Sequence, residues 1–164
     1  MSASAEALAD AAWPDEDILW QLAAFRDAFD VASREVLVGC ALDVGDRAFQ
    51  GYLSRRIGLR REECVLVLYL NHEGIFLAED FFAGLRCHAS SIPARQAVRR
   101  AFDLDARRIV LVHNHPSGNP APSQEDIAAT REFRRLLAMV EIVLDDHCIV
   151  AGRKVTSMRF LGHF

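Results

Sequence analysis

The sequence predicts an α/β layered domain, in which a mixed β-sheet is flanked by helices and preceded by a short helical extension. From residue 63 onwards, apolar runs of strand length alternate with stretches of helical periodicity, a pattern typical of sheets covered by helices. The chain has 164 residues, 51% of them hydrophobic, which is enough for one core of ordinary size. We therefore expect a helical extension over residues 1–46, with disordered first residues, and one domain over residues 47–164.

The N-terminal third carries helical patterns. Apolar residues at helical spacing predict helices over residues 15–28, 31–42 and 46–56. DNA-binding helical hairpins usually contain a Gly-apolar-Gly turn, whereas Asp43-Val44-Gly45 has an aspartate in the place of the first glycine. We do not predict a DNA-binding hairpin here.

The rest of the chain alternates strands and helices. The run CVLVLYL, residues 64–70, predicts a strand buried on both faces, followed by a turn at residues 71–74 and a returning strand, IFLA. The next predicted elements are a helix over residues 94–102, a buried strand over 108–112, a helix over 126–140, and strands over 141–144 with 148–150 and over 155–160, with a turn at Gly152. On the helix over 126–140, the residues expected to face the core are Ile127, Phe133, Leu136, Leu137 and Val140.

Charge and cysteine content restrict the functional classes. The net charge of −4 argues against the basic domain typical of nucleic-acid binding, although arginine clusters occur near residues 55–61 and 99–108. Cys40, Cys64, Cys87 and Cys148 are widely spaced, so we expect buried, reduced thiols. We find neither a signal peptide nor an apolar run long enough to span a membrane, so we expect a cytoplasmic protein without membrane partners.

Residues 113–126, HNHPSGNPAPSQED, carry the chemistry. His113 and His115 end a strand and point to the same side, because strand side chains alternate with period two. A loop rich in proline and glycine then turns the chain back, and Asp126 falls in the first turn of the next helix. Three protein ligands leave the fourth tetrahedral position open, which is the arrangement of a catalytic zinc site.

Helix capping is the competing explanation of the same stretch. Ser123 and Asp126 match a capping box, in which a serine and an acid three residues later satisfy the first amides of a helix. Capping does not explain two histidines at the end of a buried strand, so the conjunction favours the metal site. Ser123 is expected to serve both roles, with its backbone at the cap and its hydroxyl directed into the site.

The same stretch resembles the JAMM motif of JAB/MPN metalloproteins, in the form typical of the RadC-like family. The resemblance covers residues 47–160: Glu63 with CVLVLYLN resembles the family's glutamate strand, residues 84–95 its stretch before a helix, and residues 144–147 its Leu-Asp-His strand. Longer family members carry an N-terminal DNA-binding-like region whose glycine signature is missing here. Ala94 stands where the family commonly has proline.

The resemblance implies an MPN/JAB-type, cytidine-deaminase-like fold and one Zn²⁺ per chain bound by His113, His115 and Asp126. It further implies that Glu63 holds the metal-bound water and that Ser123 stabilises an oxyanion. The choice of Glu63 over Glu62 comes from the family register, in which the glutamate stands eight residues before Asn71.

The roles of four other residues are open or ordinary. His147 is either a group near the metal or a hydrogen-bonded structural residue. Arg95 either orients an acidic partner or, as we favour, covers a helix face. His72 and His88 are expected at the surface.

Three functions are compatible with these residues. The favoured one is a zinc-dependent hydrolase whose metal-activated water attacks a peptide or isopeptide carbonyl, with a polypeptide substrate. A DNA-repair-associated nucleic-acid-binding protein or nuclease is the alternative, weakened by the net charge and by the lack of the further carboxylates that a two-metal site needs. A non-catalytic MPN scaffold is disfavoured because the catalytic set is complete. The oligomeric state is open.

Overall fold

The computed structural model describes residues 16–84 and 92–164 of the chain. In chain order its elements are α1 (Glu16–Glu35), α2 (Arg47–Ile57), β1 (Cys64–Leu70), β2 (Phe76–Ala83), α3 (Ala94–Asp103), β3 (Arg108–Asn114), α4 (Gln124–Ala138), β4 (Val143–Ala151) and β5 (Lys154–Ser157). The predicted class, a mixed sheet with helices, is confirmed.

Residue contacts group the chain into two compact units, residues 1–36 and residues 37–164. In the first unit, α1 is one continuous helix of 20 residues, so the two predicted helices over 15–28 and 31–42 are wrong. No glycine or proline occurs between Glu16 and Val38, and nothing in that stretch interrupts helical hydrogen bonding.

In the second unit, residues 39–42 form backbone hydrogen bonds with the segment that leads into β2. Phe76 N donates to Cys40 O at 2.9 Å, and Leu42 N donates to Gly74 O at 3.1 Å. Ala41 and Ile75 form an isolated antiparallel bridge. This stretch, which the sequence placed in the extension, is therefore held by main-chain bonds to the sheet.

The five strands form one sheet in the order β2-β1-β3-β4-β5, in which only β3 and β4 run parallel. Every residue of β1 is buried, as predicted. The turn before β2 also agrees: Asn71 Oδ1 accepts from Glu73 N and Ile75 N, and Gly74 adopts φ +84°. Such a φ is readily available to glycine.

Several strand boundaries differ from those predicted. β2 extends to Ala83, well beyond IFLA, β3 extends to Asn114, and β5 ends at Ser157, three residues before the predicted end. β4 is continuous, although two pieces were predicted, because both of its acids have partners from outside the strand: Asp145 accepts from Arg108 Nε of β3 at 2.7 Å and Asp146 accepts from Arg159 N at 3.0 Å. Paired carboxylates can stay in a buried strand.

Helices cover both faces of the sheet. Alternation sends Val65, Val67 and Tyr69 of β1 to the face covered by α3 and α4, and Leu66, Leu68 and Leu70 to the face covered by α2. On α4, Ile127, Phe133 and Leu137 are buried and Val140 is partly buried against the core, as expected, but Leu136 is 38% exposed. Ala129 and Thr130 are buried on this helix instead.

The cysteines are not all buried. Cys64 and Cys148 are free and buried, as predicted, whereas Cys40 is exposed, so the prediction for that residue is wrong. Cys40 lies in the segment between α1 and α2. Cys87 lies outside the described residues.

Helix length and hydropathy bear on membrane association. Over residues 16–84 and 92–164, no helix is both long enough and apolar enough to cross a membrane.

Candidate metal centre

His113, His115 and Asp126 meet at the end of β3. His113 and His115 lie on the sheet face covered by α4, and their Nε2 atoms are 2.8 Å apart. Asp126 Oδ1 is 3.3 Å from His113 Nε2, and Asp126 Oδ2 is 3.4 Å from His115 Nε2. One potential ligand atom of each residue lies within 4.8 Å of the others, so this largely buried group has the composition and spacing to bind a metal ion.

The His115 ring is oriented by the loop that follows it. His115 Nδ1 lies 2.8 Å from the carbonyl oxygen of Asn119, which only accepts hydrogen bonds, so Nδ1 carries the proton. In a neutral ring, Nε2 then presents a lone pair toward Asp126. The loop rich in proline and glycine thus turns the chain back toward the site. It also determines that Nε2 is the nitrogen of His115 that is left to bind a metal.

The electrostatics of the group favour a positive charge beside an ionised carboxylate. Burial alone raises the pKa of Asp126, but hydrogen bonds from His113 and His115 outweigh it and hold that pKa well below its usual range. The hydrogen bond to Asp126 in turn raises the pKa of His115, although burial opposes the shift. A divalent cation bound between these side chains would supply the positive charge that a proton otherwise supplies. The donor set therefore fits a metal ion.

Helix capping and the metal centre share Asp126. Ser123 and Asp126 form the predicted capping box at the start of α4: Asp126 N donates to Ser123 Oγ at 3.0 Å, and Ser123 N donates to Asp126 Oδ2 at 2.7 Å. The Ser123 hydroxyl also donates to Asp126 Oδ2 at 2.6 Å. The predicted capping box is confirmed, and the hydroxyl, which we expected to be directed into the site, takes part in the cap.

Glu63 lies immediately before β1, the strand that pairs with the strand of His113. The β1–β3 ladder ends at the pair Val65 and His113, and extending its register by two residues would set Glu63 opposite His115. The half-buried Glu63 is close enough for its charge to add to the raised pKa of His115, whose main cause is Asp126. Glu63 also borders a cavity of about 510 Å³, which is lined by Arg61, Glu62, Glu63, Gly84, Pro116 and Ser117.

Asn114, which the sequence reasoning passed over, joins the metal-binding strand to the segment carrying Glu63. Its Oδ1 accepts from Cys64 N at 2.8 Å and from Cys64 Sγ at 3.0 Å, while its Nδ2 donates to Glu62 O at 3.1 Å and Arg60 O at 3.2 Å. Burial raises the pKa of Cys64 to about 11, so the thiol stays protonated and donates. The available sequence signal was an asparagine between two histidines directly after a buried strand.

His147 is fully buried and lies beside the ligands. Its Nε2 is 2.8 Å from His113 Nδ1, and its Nδ1 is 2.6 Å from Thr130 Oγ1. Burial, with the neighbouring His113, lowers the pKa of His147 well below its usual range, so the ring is neutral. His147 is therefore a hydrogen-bonded interior residue that contacts a candidate metal ligand.

Two of the remaining predicted residues are exposed. Arg95 is exposed in the first turn of α3, and His72 is exposed in the turn before β2, where its Nε2 is 3.9 Å from Glu73. His88 lies outside the described residues.

Comparison with known proteins identifies the family. The model of the RadC-like JAB domain matches residues 45–163. Relatives include the UPF0758 protein YfjY of Escherichia coli, 41% identical over 101 residues that cover 61% of this chain and 62% of the relative. A UPF0758 protein of Janthinobacterium is 33% identical over 132 residues, covering 80% of this chain and 58% of the relative.

The match extends through the whole region that carries the sheet and the metal centre. The chain spans about half to three fifths of the length of these curated relatives; for the UPF0758 protein of Bordetella parapertussis the share is 50%, at 38% identity. The His-His-Asp group, its sheet and its covering helices all fall within the matched residues. This chain belongs to the RadC-like JAB domain family.

Proposed function

We propose that the chain is a zinc-dependent hydrolase that cleaves a peptide or isopeptide bond in a polypeptide substrate. The observation that carries the proposal is the buried group of His113, His115 and Asp126, together with Glu63, whose charge acts on His115 and which borders a cavity. Two imidazoles and one carboxylate form a three-ligand set of the kind that catalytic zinc sites use. Family membership supports a JAB-type domain.

Each residue has a proposed task. Bound zinc would act as a Lewis acid that lowers the pKa of water. The Glu63 carboxylate would accept a proton and pass it to the leaving amine, because it borders the cavity and its charge acts on His115. The Ser123 hydroxyl donates to Asp126 in this structure. During the reaction it would donate to the developing oxyanion of the substrate and stabilise it.

The first test is metal content. The wild-type protein, loaded under metal-replete conditions and then dialysed free of unbound zinc, is compared with His113→Ala and Asp126→Ala, and His72→Ala serves as a control because it removes an exposed histidine in the turn before β2. We expect about one zinc per chain in the wild type and in the control, and none in the two ligand variants. A wild-type protein without zinc under metal-replete conditions would contradict the proposal.

The second test separates the candidate reactions. Zinc-loaded protein is incubated with a peptide and isopeptide library and, separately, with single-stranded and duplex nucleic acid. Glu63→Gln is expected to retain zinc and lose peptide cleavage, whereas the matched Glu62→Gln keeps it. Nuclease activity, or zinc binding without any turnover, would replace the proposal by the nucleic-acid or the scaffold alternative.

The proposal concerns this domain. Because the chain spans only part of the length of its relatives, the substrates and partners of a whole protein of this family are a separate question. We further propose a cytoplasmic setting, supported by the free, buried thiols of Cys64 and Cys148.

A further inference from the structure

We propose that Thr130 and His147 are positioning residues that fix the tautomer of His113, leaving its Nε2 free to bind the metal. They form a buried hydrogen-bonded chain that starts at the main-chain carbonyl of Asp126 and ends at His113 Nδ1. The inference rests on the metal site proposed above and assigns roles to two residues outside the ligand set.

The chain of donors begins at Thr130. Its Oγ1 lies 2.6 Å from the carbonyl oxygen of Asp126 and 2.6 Å from His147 Nδ1. A carbonyl only accepts, so the single hydroxyl hydrogen of Thr130 is donated to Asp126 O. Toward His147, therefore, Thr130 can only accept a hydrogen bond.

This fixes the tautomer of His147. Since Thr130 accepts, His147 Nδ1 must carry a hydrogen, and the Nε2 atom of the neutral ring is left with a lone pair. That lone pair faces His113 Nδ1 at 2.8 Å. His113 Nδ1 must then be the donor.

The last step reaches the metal centre. With Nδ1 protonated, neutral His113 presents a bare Nε2 to His115 Nε2 at 2.8 Å and to Asp126 Oδ1 at 3.3 Å. The Asn119 carbonyl accepts from His115 Nδ1, so His115 has the same tautomer, with a bare Nε2 in the neutral ring. Two nitrogen lone pairs and a carboxylate thus converge, and such an arrangement calls for a shared cation.

Burial makes the chain of hydrogen bonds decisive. His113 and His147 are fully buried, Thr130 is 1% exposed and Asp126 is 2% exposed, so water has little access to replace a lost partner. These hydrogen bonds also link three elements, because Thr130 lies on α4, His147 on β4 and His113 on β3. Partners of this kind orient metal-binding histidines, and their loss typically lowers metal affinity 10-fold to 100-fold.

The tautomer can be read directly in the protein without metal. In ¹⁵N-labelled wild type, at a pH at which the His113 ring is neutral, long-range ¹H–¹⁵N correlation spectra should show His113 protonated at Nδ1 and bare at Nε2. His147→Leu removes the acceptor, and we expect a mixture of His113 tautomers. His147→Gln is the matched rescue, since its amide oxygen can accept from His113 while its amide nitrogen donates to Thr130. A second matched pair is Thr130→Val, which lacks the hydroxyl, and Thr130→Ser, which retains it.

Zinc affinity, measured by competition with a chromophoric chelator, is the second readout. We expect about 10-fold to 100-fold weaker binding in His147→Leu and Thr130→Val, and near wild-type binding in His147→Gln and Thr130→Ser. Unchanged tautomer and unchanged affinity in both deletion variants would overturn the inference, as would equal losses in the deletion and rescue variants. If His147→Leu does not fold, the Thr130 pair decides.

The two proposals fail in different ways. A wild-type protein that binds no zinc contradicts the proposed metal site, whereas the tautomer spectra still decide whether Thr130 and His147 control His113. Zinc binding without hydrolysis contradicts the proposed reaction and leaves the inference about the ligand tautomer supported by its own measurements.

Discussion

Asp126 has two tasks, in the helix cap and in the candidate metal centre. Oδ2 accepts from the amide and the hydroxyl of Ser123 in the capping box and lies 3.4 Å from His115 Nε2, while Oδ1 lies 3.3 Å from His113 Nε2. The cap therefore orients the carboxylate that completes the metal centre. A helix start is well suited to this purpose, since its free amides favour an ionised carboxylate.

Removing the capping hydroxyl should affect both stability and metal binding. Ser123→Ala is expected to lower the free energy of unfolding by about 1 kcal/mol and to weaken zinc binding, because Asp126 loses one of its two donors. Ser123→Thr keeps a capping hydroxyl and is the control. Urea denaturation and zinc competition measure the two effects, and a Ser123→Ala protein of wild-type stability would show that the cap does not matter.

The reactivity of the thiols should follow their burial. In the native protein, with Cys87 replaced by serine, iodoacetamide at pH 8 is expected to modify the exposed Cys40 and to spare Cys64 and Cys148. Burial raises the pKa of Cys64 to about 11 and that of Cys148 well above its usual range, so both thiolates are scarce. Mass spectrometry of tryptic peptides gives the result, and denatured protein provides the control in which all three react.

At the scale of elements, the site depends on how two antiparallel strands are held in register. The backbone ladder between β1 and β3 pairs Val65 with His113, and Asn114 continues the connection past the end of β1 through its side chain. Cys64 packs on the α2 side of the sheet, and Val65, the partner of His113, packs on the other. The side chain of Asn114 thus holds the segment around Glu63 through its bonds to Cys64 and Glu62.

Loss of Asn114 should loosen the start of β1. Asn114→Ala leaves four buried or half-buried partner atoms without their hydrogen bonds, and we expect a loss of about 2–4 kcal/mol in unfolding free energy. Hydrogen exchange at the Cys64 amide should accelerate more than at Val110, which lies in the middle of the β3 ladder. Equal acceleration at both amides would mean that Asn114 stabilises the whole domain without holding this segment in particular.

At the scale of the whole molecule, metal binding and folding should be coupled. A ligand that binds only the native state stabilises it by about 4 kcal/mol when its free concentration is a thousand times its Kd. We expect zinc to raise the melting temperature of the wild type and EDTA to lower it. His113→Ala should melt at one temperature under both conditions, and a zinc-dependent shift in that variant would point to binding elsewhere.

The sequence predicts that the domain begins at residue 47, whereas the residue contacts divide the chain after Val36. Two truncated proteins should distinguish these two divisions. Deleting residues 1–36 is expected to leave the melting temperature of the remaining unit nearly unchanged. Deleting residues 1–46 also removes the main-chain bonds of residues 39–42 to Gly74 and Phe76, and we expect a clear decrease in melting temperature. Equal stability of the two truncated proteins would support a domain that begins at residue 47.

Local patterns predicted much of the fold, and the errors have identifiable causes. β1 was predicted with its observed ends because its apolar run is bounded by Glu63 and Asn71. β4 was predicted in pieces because the partners of Asp145 and Asp146 come from other elements. In the same way, the exposure of Leu136 depends on which turn of α4 meets the sheet, which helical spacing alone leaves ambiguous.

The motif HNHPSGNPAPSQED was sufficient to predict the three possible ligands and the cap, because strand alternation, turn chemistry and helix capping act over a few residues. The tertiary structure decided what surrounds them. His147 reaches His113 from the neighbouring parallel strand, Thr130 reaches His147 from α4, and Asn114 reaches across to the segment of Glu63. These contacts join residues far apart in the chain, and sheet pairing and helix packing bring them together.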